Sequence, residues 1–314
     1  MLNAKNSSNF TKNSKILIGL TVVLTGLYIL SFTRSCTSKD TREKLKTSLV
    51  NPKYAEAISS FELQDVSGSL IIKKEGNFWT VGTIGLHNDT QVIPASPERV
   101  QNLIQNLISI RNLYKISDKI TQNSSLGLTN GTEFHLRYNT DEAFHELIFG
   151  NQDFSLSSRY LMTEKSTQVY EIDNSLDTYL TTSIQNWSEP FIISQVVLGK
   201  IRPDDIQRTQ VLKPEENHIS TISDTQKLLD LRHGGLPNLD SDLNKLKSTD
   251  KPQITITLEL GNKNEIELQI CKSANENEYI VFTDYKTQKA AKPVFTSASK
   301  ISSWTYNKIK EITL

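Results

Sequence analysis

Ile254-Thr255-Ile256-Thr257-Leu258-Glu259-Leu260 alternates apolar and polar residues at every position. A period of two puts the four apolar side chains on one face and Thr255, Thr257 and Glu259 on the other. The stretch therefore predicts a strand of an antiparallel sheet, buried on one side and wet on the other. Ile266, Leu268 and Ile270 repeat the pattern just downstream, and Phe134, Leu136 and Tyr138 alternate with Glu133, His135 and Arg137 far upstream.

Working outward, further strands are expected at 58–63, 69–74 and 78–81, separated by turns at Gly68 and Gly76. Others are expected at 144–149, 159–163, 168–172, 206–212, 218–221, 278–283 and 293–295. Ser96-Pro97-Glu98 carries the marks of a helix start: a capping hydroxyl, proline at the first helical position and an acid at the positive dipole end. Val100, Leu103, Ile104, Leu107 and Ile108 follow as one apolar stripe. Asp173 or Asn174 would cap a short helix holding Leu176, Tyr179, Leu180 and Ile184. Ser223, with Gln226 three residues on, would open another, ended by Gly234-Gly235. A last helix would hold Ile301, Trp304, Ile309 and Ile312.

The order of elements over 133–173 recurs over 254–297: strand, turn, strand, longer loop, strand, turn, short strand, helix. The body thus reads as an internal duplication, α+β in class, with two repeated units of antiparallel sheet covered by helices.

The N-terminus has a different composition. Residues 1–15 contain Lys5, Lys12 and Lys15 and no acid, and residues 16–32 carry no charge. Seventeen residues are at the low end of a membrane span. The segment reads as an uncleaved signal anchor, as a lipoprotein signal ending at Cys36, or as a cleaved signal. Thr33-Arg34-Ser35 fits the lipoprotein reading poorly. Cys36 would carry lipid in that reading and would be a free thiol at the membrane edge in the first. Positive residues flank both sides of the segment, and the acid-free lead favours an extracytoplasmic body. The expected organisation is a cytoplasmic N-terminal tail (1–15), a transmembrane signal anchor (16–32), a stalk (33–53), a first α+β repeat (54–190) and a second (191–314).

The 314 residues contain 35 Lys plus Arg against 35 Asp plus Glu, two Cys, two Met and five His. Zero net charge gives no basic field for nucleic acid, and two cysteines make no disulfide framework. No nucleotide-binding, serine-hydrolase or zinc-protease motif is present. His135 and His145, with Glu133 and Glu146 nearby, would form a metal site if the hairpin brought them together; the plainer reading puts His135 on the solvent face. Asp204-Asp205 and Glu215-Glu216 read as solvated acid pairs. Trp79, Trp187 and Trp304 read as core anchors, with Trp79 and Arg159 also candidates for partner contact. Gly150 would permit a turn. The sequence points to no catalytic residue, cofactor or metal.

The chain also resembles the domain-of-unknown-function family 4340 (DUF4340). The residues that carry the resemblance are Gly76-Asn77-Phe78-Trp79, Ser96-Pro97-Glu98-Arg99-Val100, Leu126-Gly127-Leu128, Leu147-Ile148-Phe149-Gly150, Ser158-Arg159-Tyr160 and Val169-Tyr170. The resemblance implies a bacterial inner-membrane protein, single-pass, encoded beside ABC-type exporters of the gliding-motility kind. The expected function is that of a non-enzymatic, membrane-anchored accessory protein that binds a partner, such as an exporter, at the cell envelope. The alternative is an envelope enzyme or small-molecule sensor with its site between the two repeats.

Overall fold

A computed structural model describes residues 14–15, 17–26, 28, 42–83, 91–118, 124–129, 131–140, 143–163, 166–214, 218–237, 251–273, 277–290 and 292–313. The chain divides into two compact units, Met1–Glu43 and Lys44–Leu314.

In the first unit the longest unbroken run of described helix covers residues 17–26. Among the described residues no helix is long and apolar enough to cross a membrane. This overturns the expected transmembrane signal anchor and, with it, the single-pass inner-membrane topology, the membrane as partner and the extracytoplasmic placement of the body. Cys36 lies outside the described residues, as do Glu215, Glu216 and His87.

The second unit is α+β with two sheets. The first sheet is built from β1 (Lys44–Thr47), β2 (Ser60–Asp65), β3 (Gly68–Glu75), β4 (Phe78–Thr83), β5 (Gln91–Pro94), β6 (Arg111–Ser117), β7 (Phe134–Asn139), β8 (Phe144–Gln152), β9 (Ser158–Thr163) and β10 (Val169–Asp173). Its spatial order is β1-β6-β10-β9-β8-β7-β2-β3-β4-β5, all neighbours antiparallel. The helix α1 (Pro97–Ile108) crosses one face, and the short α2 (Ile184–Trp187) follows the sheet. The second sheet holds β11 (Ile206–Lys213), β12 (His218–Ser220), β13 (Ile254–Leu260), β14 (Glu265–Lys272), β15 (Glu278–Lys286) and β16 (Phe295–Ser302), in the order β12-β11-β13-β14-β15-β16. Two helices, α3 (Thr225–Leu229) and α4 (Ser303–Ile312), accompany it. Among the described residues the first sheet holds ten strands and the second six.

Local chemistry accounts for most of these boundaries. The Ser96 hydroxyl accepts from the Arg99 amide at 3.4 Å, and Val100, Leu103, Ile104 and Leu107 bury the α1 stripe against the first core. Strand β13 buries Ile254, Ile256, Leu258 and Leu260 in the second core. Two expectations shift. Asp224 rather than Ser223 caps α3, accepting from the Lys227 amide at 3.0 Å, since the carboxylate reaches the third amide of the turn. Ile301 ends β16 as a buried strand residue, and α4 begins only after Ser302.

The sheet edges are largely closed. Backbone bonds run from Gly234 N–H to the Lys300 carbonyl (2.7 Å) and from Lys300 N–H to the Gly235 carbonyl (2.9 Å), covering the outer edge of β16. Residues 187–189 pair across the end of β5: the Ser96 amide donates to the Trp187 carbonyl and the Glu189 amide to the Pro94 carbonyl, each at 2.8 Å. The opposite edge, β1, is four residues long and carries Lys44 and Lys46, which discourage strand addition.

Gly150 does not make a turn; it lies within β8. A Cβ there would sit 2.1 Å from the Leu126 carbonyl oxygen, because the loop 124–128 lies directly on the strand. Gly127, at φ +63°, bends that loop onto it. The substitution Gly150→Ala is therefore expected to lower stability by about 1–3 kcal/mol through overpacking. Urea unfolding checks this; a loss well below about 1 kcal/mol would show that the loop yields.

Candidate interaction surface

The antiparallel register brings chosen polar residues together and keeps others apart. In the β7–β8 hairpin Tyr138 pairs with His145 and His135 with Ile148. His145 therefore shares the face of buried Tyr138, stacked on its ring at 4.8 Å, while His135 projects from the opposite face. The imagined two-histidine site does not form. His135 Nδ1 instead lies 2.8 Å from Glu146 Oε1, an oxygen that also accepts from Arg137 Nε at 2.6 Å. Arg137 reaches on to Glu62 and Gln64, each at 2.8 Å. Burial acts to raise the Glu146 carboxyl, but the bonds from His135 and Arg137 outweigh it and hold the group below its ordinary range. The guanidinium takes the place a cation would need. Among the described residues no group of three or more His, Cys, Asp or Glu could hold a metal ion.

A second polar cluster joins the two sheets and went unnoticed in the sequence. The buried Glu189 accepts from Ser194 Oγ (2.5 Å) and the Gln195 amide (2.8 Å), and the Ser194 amide donates to the Tyr285 phenol oxygen (2.7 Å). His233 Nε2 donates to the Glu189 carbonyl (2.7 Å), and its Nδ1 accepts from the Gly235 amide (3.0 Å). These partners fix the neutral imidazole. Burial raises the Glu189 carboxyl and the Tyr285 phenol, and lowers the His233 imidazole. Ser194 is fully buried and touches no imidazole, so the cluster is a structural tie without nucleophile geometry.

The third arrangement is at one end of the ten-stranded sheet, where β2, β8 and β10 finish and β3, β6 and β9 begin. The segment 173–182 runs along this end and is tied to it at several points. Asp173 lies 3.7 Å from Arg111, whose guanidinium also donates to Ser175 Oγ at 3.0 Å. Asp177 accepts from Arg159 Nε at 2.7 Å and from the Gln152 amide. Thr182 Oγ1 donates to Asp65 at 3.1 Å. Arg159 also donates to the Gly150 carbonyl at 2.5 Å, so Ser158-Arg159-Tyr160, Leu147-Ile148-Phe149-Gly150 and Leu126-Gly127-Leu128 all meet here.

Beside exposed polar residues such as Gln152, Asp173 and Ser175, this end also turns out four large apolar side chains. Phe154 is 105% exposed, Leu156 63%, Val66 75% and Ile110 69%. Phe154 and Leu156 occupy the β8–β9 turn, whose shape is set by Asp153. Its carboxylate accepts from Ser155 Oγ (2.6 Å) and from the amides of Ser155 (3.2 Å), Ser157 (3.0 Å) and Ser158 (3.0 Å). The Ser155 hydroxyl bond is the chief cause that lowers the Asp153 carboxyl to about 2. Leu156 stands at φ +57°, the left-handed region that side chains other than glycine adopt at a cost of about 1 kcal/mol or more.

The three tryptophans divide. Trp187 is fully buried, donating Nε1–H to the Thr181 carbonyl at 3.0 Å beneath Arg99 at 4.7 Å. Trp79 is partly buried against Phe61, ring centroids 6.0 Å apart. Trp304, expected in the core, is 64% exposed on α4 with Lys308 over its ring at 4.0 Å. It borders a groove of about 490 Å³ between α3 and α4, lined by Lys227, Asp230, Arg232 and Glu311 among others. A second groove lies against Phe191, Arg202 and Leu229. Both are lined by residues of the second half alone, so neither is a site between the expected repeats.

Residues 87–230 match the family described as a domain of unknown function, DUF4340. The matched part includes β5 through α3, with the Asp153 turn and the 173–182 segment between them. No curated protein and no solved structure matches the chain. The match carries no transporter, so the expected ABC-exporter partnership is without support.

The His233 tie has a pH signature. An imidazole lowered in the folded state contributes stability that is present above its unfolded value of 6.5 and lost as pH falls through the folded value. Protonation at Nδ1 would set a donor against the Gly235 amide. Stability is expected to fall as pH drops below about 6.5, and His233→Gln to flatten that fall. Urea unfolding across pH 7.5 to 5 checks it; the same slope in both proteins would place the pH dependence elsewhere.

Proposed function

We propose that the chain is a non-enzymatic binding module that engages a protein partner through the apolar end of its ten-stranded sheet. The observation that carries this reading is the grouping of exposed Val66, Ile110, Phe154 and Leu156 at one end of the sheet. Scattered single apolar residues on a surface need no explanation, but four large ones at one end of one sheet fall within the breadth of a protein interface. Strand spacing of about 4.8 Å places Ile110 about 12 Å and Val66 about 14 Å from the Phe154 turn, on opposite sides of it, so the four residues span about 26 Å of the sheet end.

The sheet edges are poorer candidates for contact, being paired, short or lysine-guarded. The buried ionisable groups are engaged within the chain: Glu146 with Arg137, Asp177 with Arg159, Glu189 with Ser194. None of these carboxylates is left facing an open cleft as an acid or base would be.

The test is photo-crosslinking in the native host. A photoreactive amino acid at Val66 or Ile110 is expected to yield one adduct of defined mass, and the same group at Lys73, on the far half of β3, none. Equal adduct patterns from all three positions, or none from any, would defeat the reading.

A further inference from the structure

We propose, resting on the binding reading above, that Phe154 and Leu156 form a rigid plug, held in shape by Asp153, that enters a preformed apolar pocket of a protein partner. The turn is closed before any partner arrives. Besides its four bonds to the Asp153 carboxylate, the Asp153 amide donates to the Ser158 carbonyl (2.9 Å) and the Leu156 amide to the Asp153 carbonyl (3.0 Å). Asn174 Nδ2 adds a bond to the Leu156 carbonyl at 3.3 Å, tying the turn to the latched segment. The Asp153 carboxylate and the amides of Ser155, Leu156, Ser157 and Ser158 are bonded within the turn, and the two apolar side chains, two residues apart, are left outside.

This is the arrangement of an anchor whose ordering cost is met in the free protein. A convex pair of fixed shape fits a concave apolar site of fixed shape, and buried aromatic anchors carry a large share of interface energy. The charge pattern speaks against an anionic lipid surface. Residues 151–158 contain no Lys or Arg, and the nearest guanidinium, that of Arg159, is bound to Asp177 and Gly150. The one charge of the turn is the Asp153 carboxylate, ionised throughout the physiological range. An anionic lipid surface would find no cation here and one repelling anion.

The experiment places the photoreactive group at Val66 in the full chain and reads adduct yield in the native host. Phe154→Ser and Leu156→Ser are each expected to lower the yield roughly ten-fold or more, as loss of an interface anchor does. Asp153→Ala, which leaves every apolar atom in place, is expected to lower it several-fold. Thermal melting of each variant close to that of the parent protein shows that the body remains folded. An adduct unchanged by these three substitutions overturns the plug while leaving the binding reading intact; absence of any adduct in the parent chain overturns both. An adduct at twice the chain mass would make the occupant a second copy and overturn the proposal. So would flotation with phosphatidylcholine vesicles, with or without phosphatidylglycerol, that depends on Phe154.

Discussion

The ion pair between Arg159 and Asp177, 2.7 Å long and four-fifths withdrawn from solvent on both sides, is the joint on which this molecule turns. It fastens the chain leaving the first sheet back onto the ends of that sheet's strands. Arg111 with Asp173, and Asp65 with Thr182, fasten the same segment on either side. With 173–182 held there, Trp187 reaches the first core and residues 187–189 reach the edge of β5. From that point the chain enters the Glu189 cluster and the second sheet. Removing one partner of so enclosed a pair leaves the other charge without compensation, so either single substitution costs more than the pair itself contributes.

Part of this was open to the sequence. Strand β13 follows from alternation alone, and the start of α1 follows from Ser96, Pro97 and the apolar stripe. Strands β1, β5 and β6 were missed. β1 is mostly polar and exposed and exists only by pairing with β6, while β6 has only Arg111 and Leu113 fully buried, too few for a period to show. Both owe their form to neighbours distant in sequence.

The histidine pair shows the same limit in one side chain. Which face His145 takes depends on the register of β7 against β8, and that register depends on the connection at 140–143. A change of one residue in the pairing would move every β8 side chain to the other face. Trp304 was misplaced for a related reason. Ile301 is the last buried residue of β16, not the first of a helix, and restarting the helical count at Ser303 turns Trp304 outward. The functional surface was hidden more deeply. Asp153, Phe154 and Leu156 read as an unremarkable turn until the strand order brings Val66 and Ile110 to the same end of the sheet.

Among the described residues two other than glycine hold a left-handed backbone, and their surroundings differ. Lys263 sits in the β13–β14 hairpin beside Asn262 and Asn264, where a flexible, charged side chain lies at a solvated turn. Leu156 sits in the β8–β9 turn, where glycine or asparagine would relieve the strain and also remove the apolar group. Selection for stability alone favours the relieved backbone, and selection for solubility favours a polar side chain. Leucine at this position, beside a fully exposed phenylalanine and inside a turn closed by hydrogen bonds, answers neither demand. It answers a demand for an apolar group at a fixed position on the surface, which is the demand of a contact.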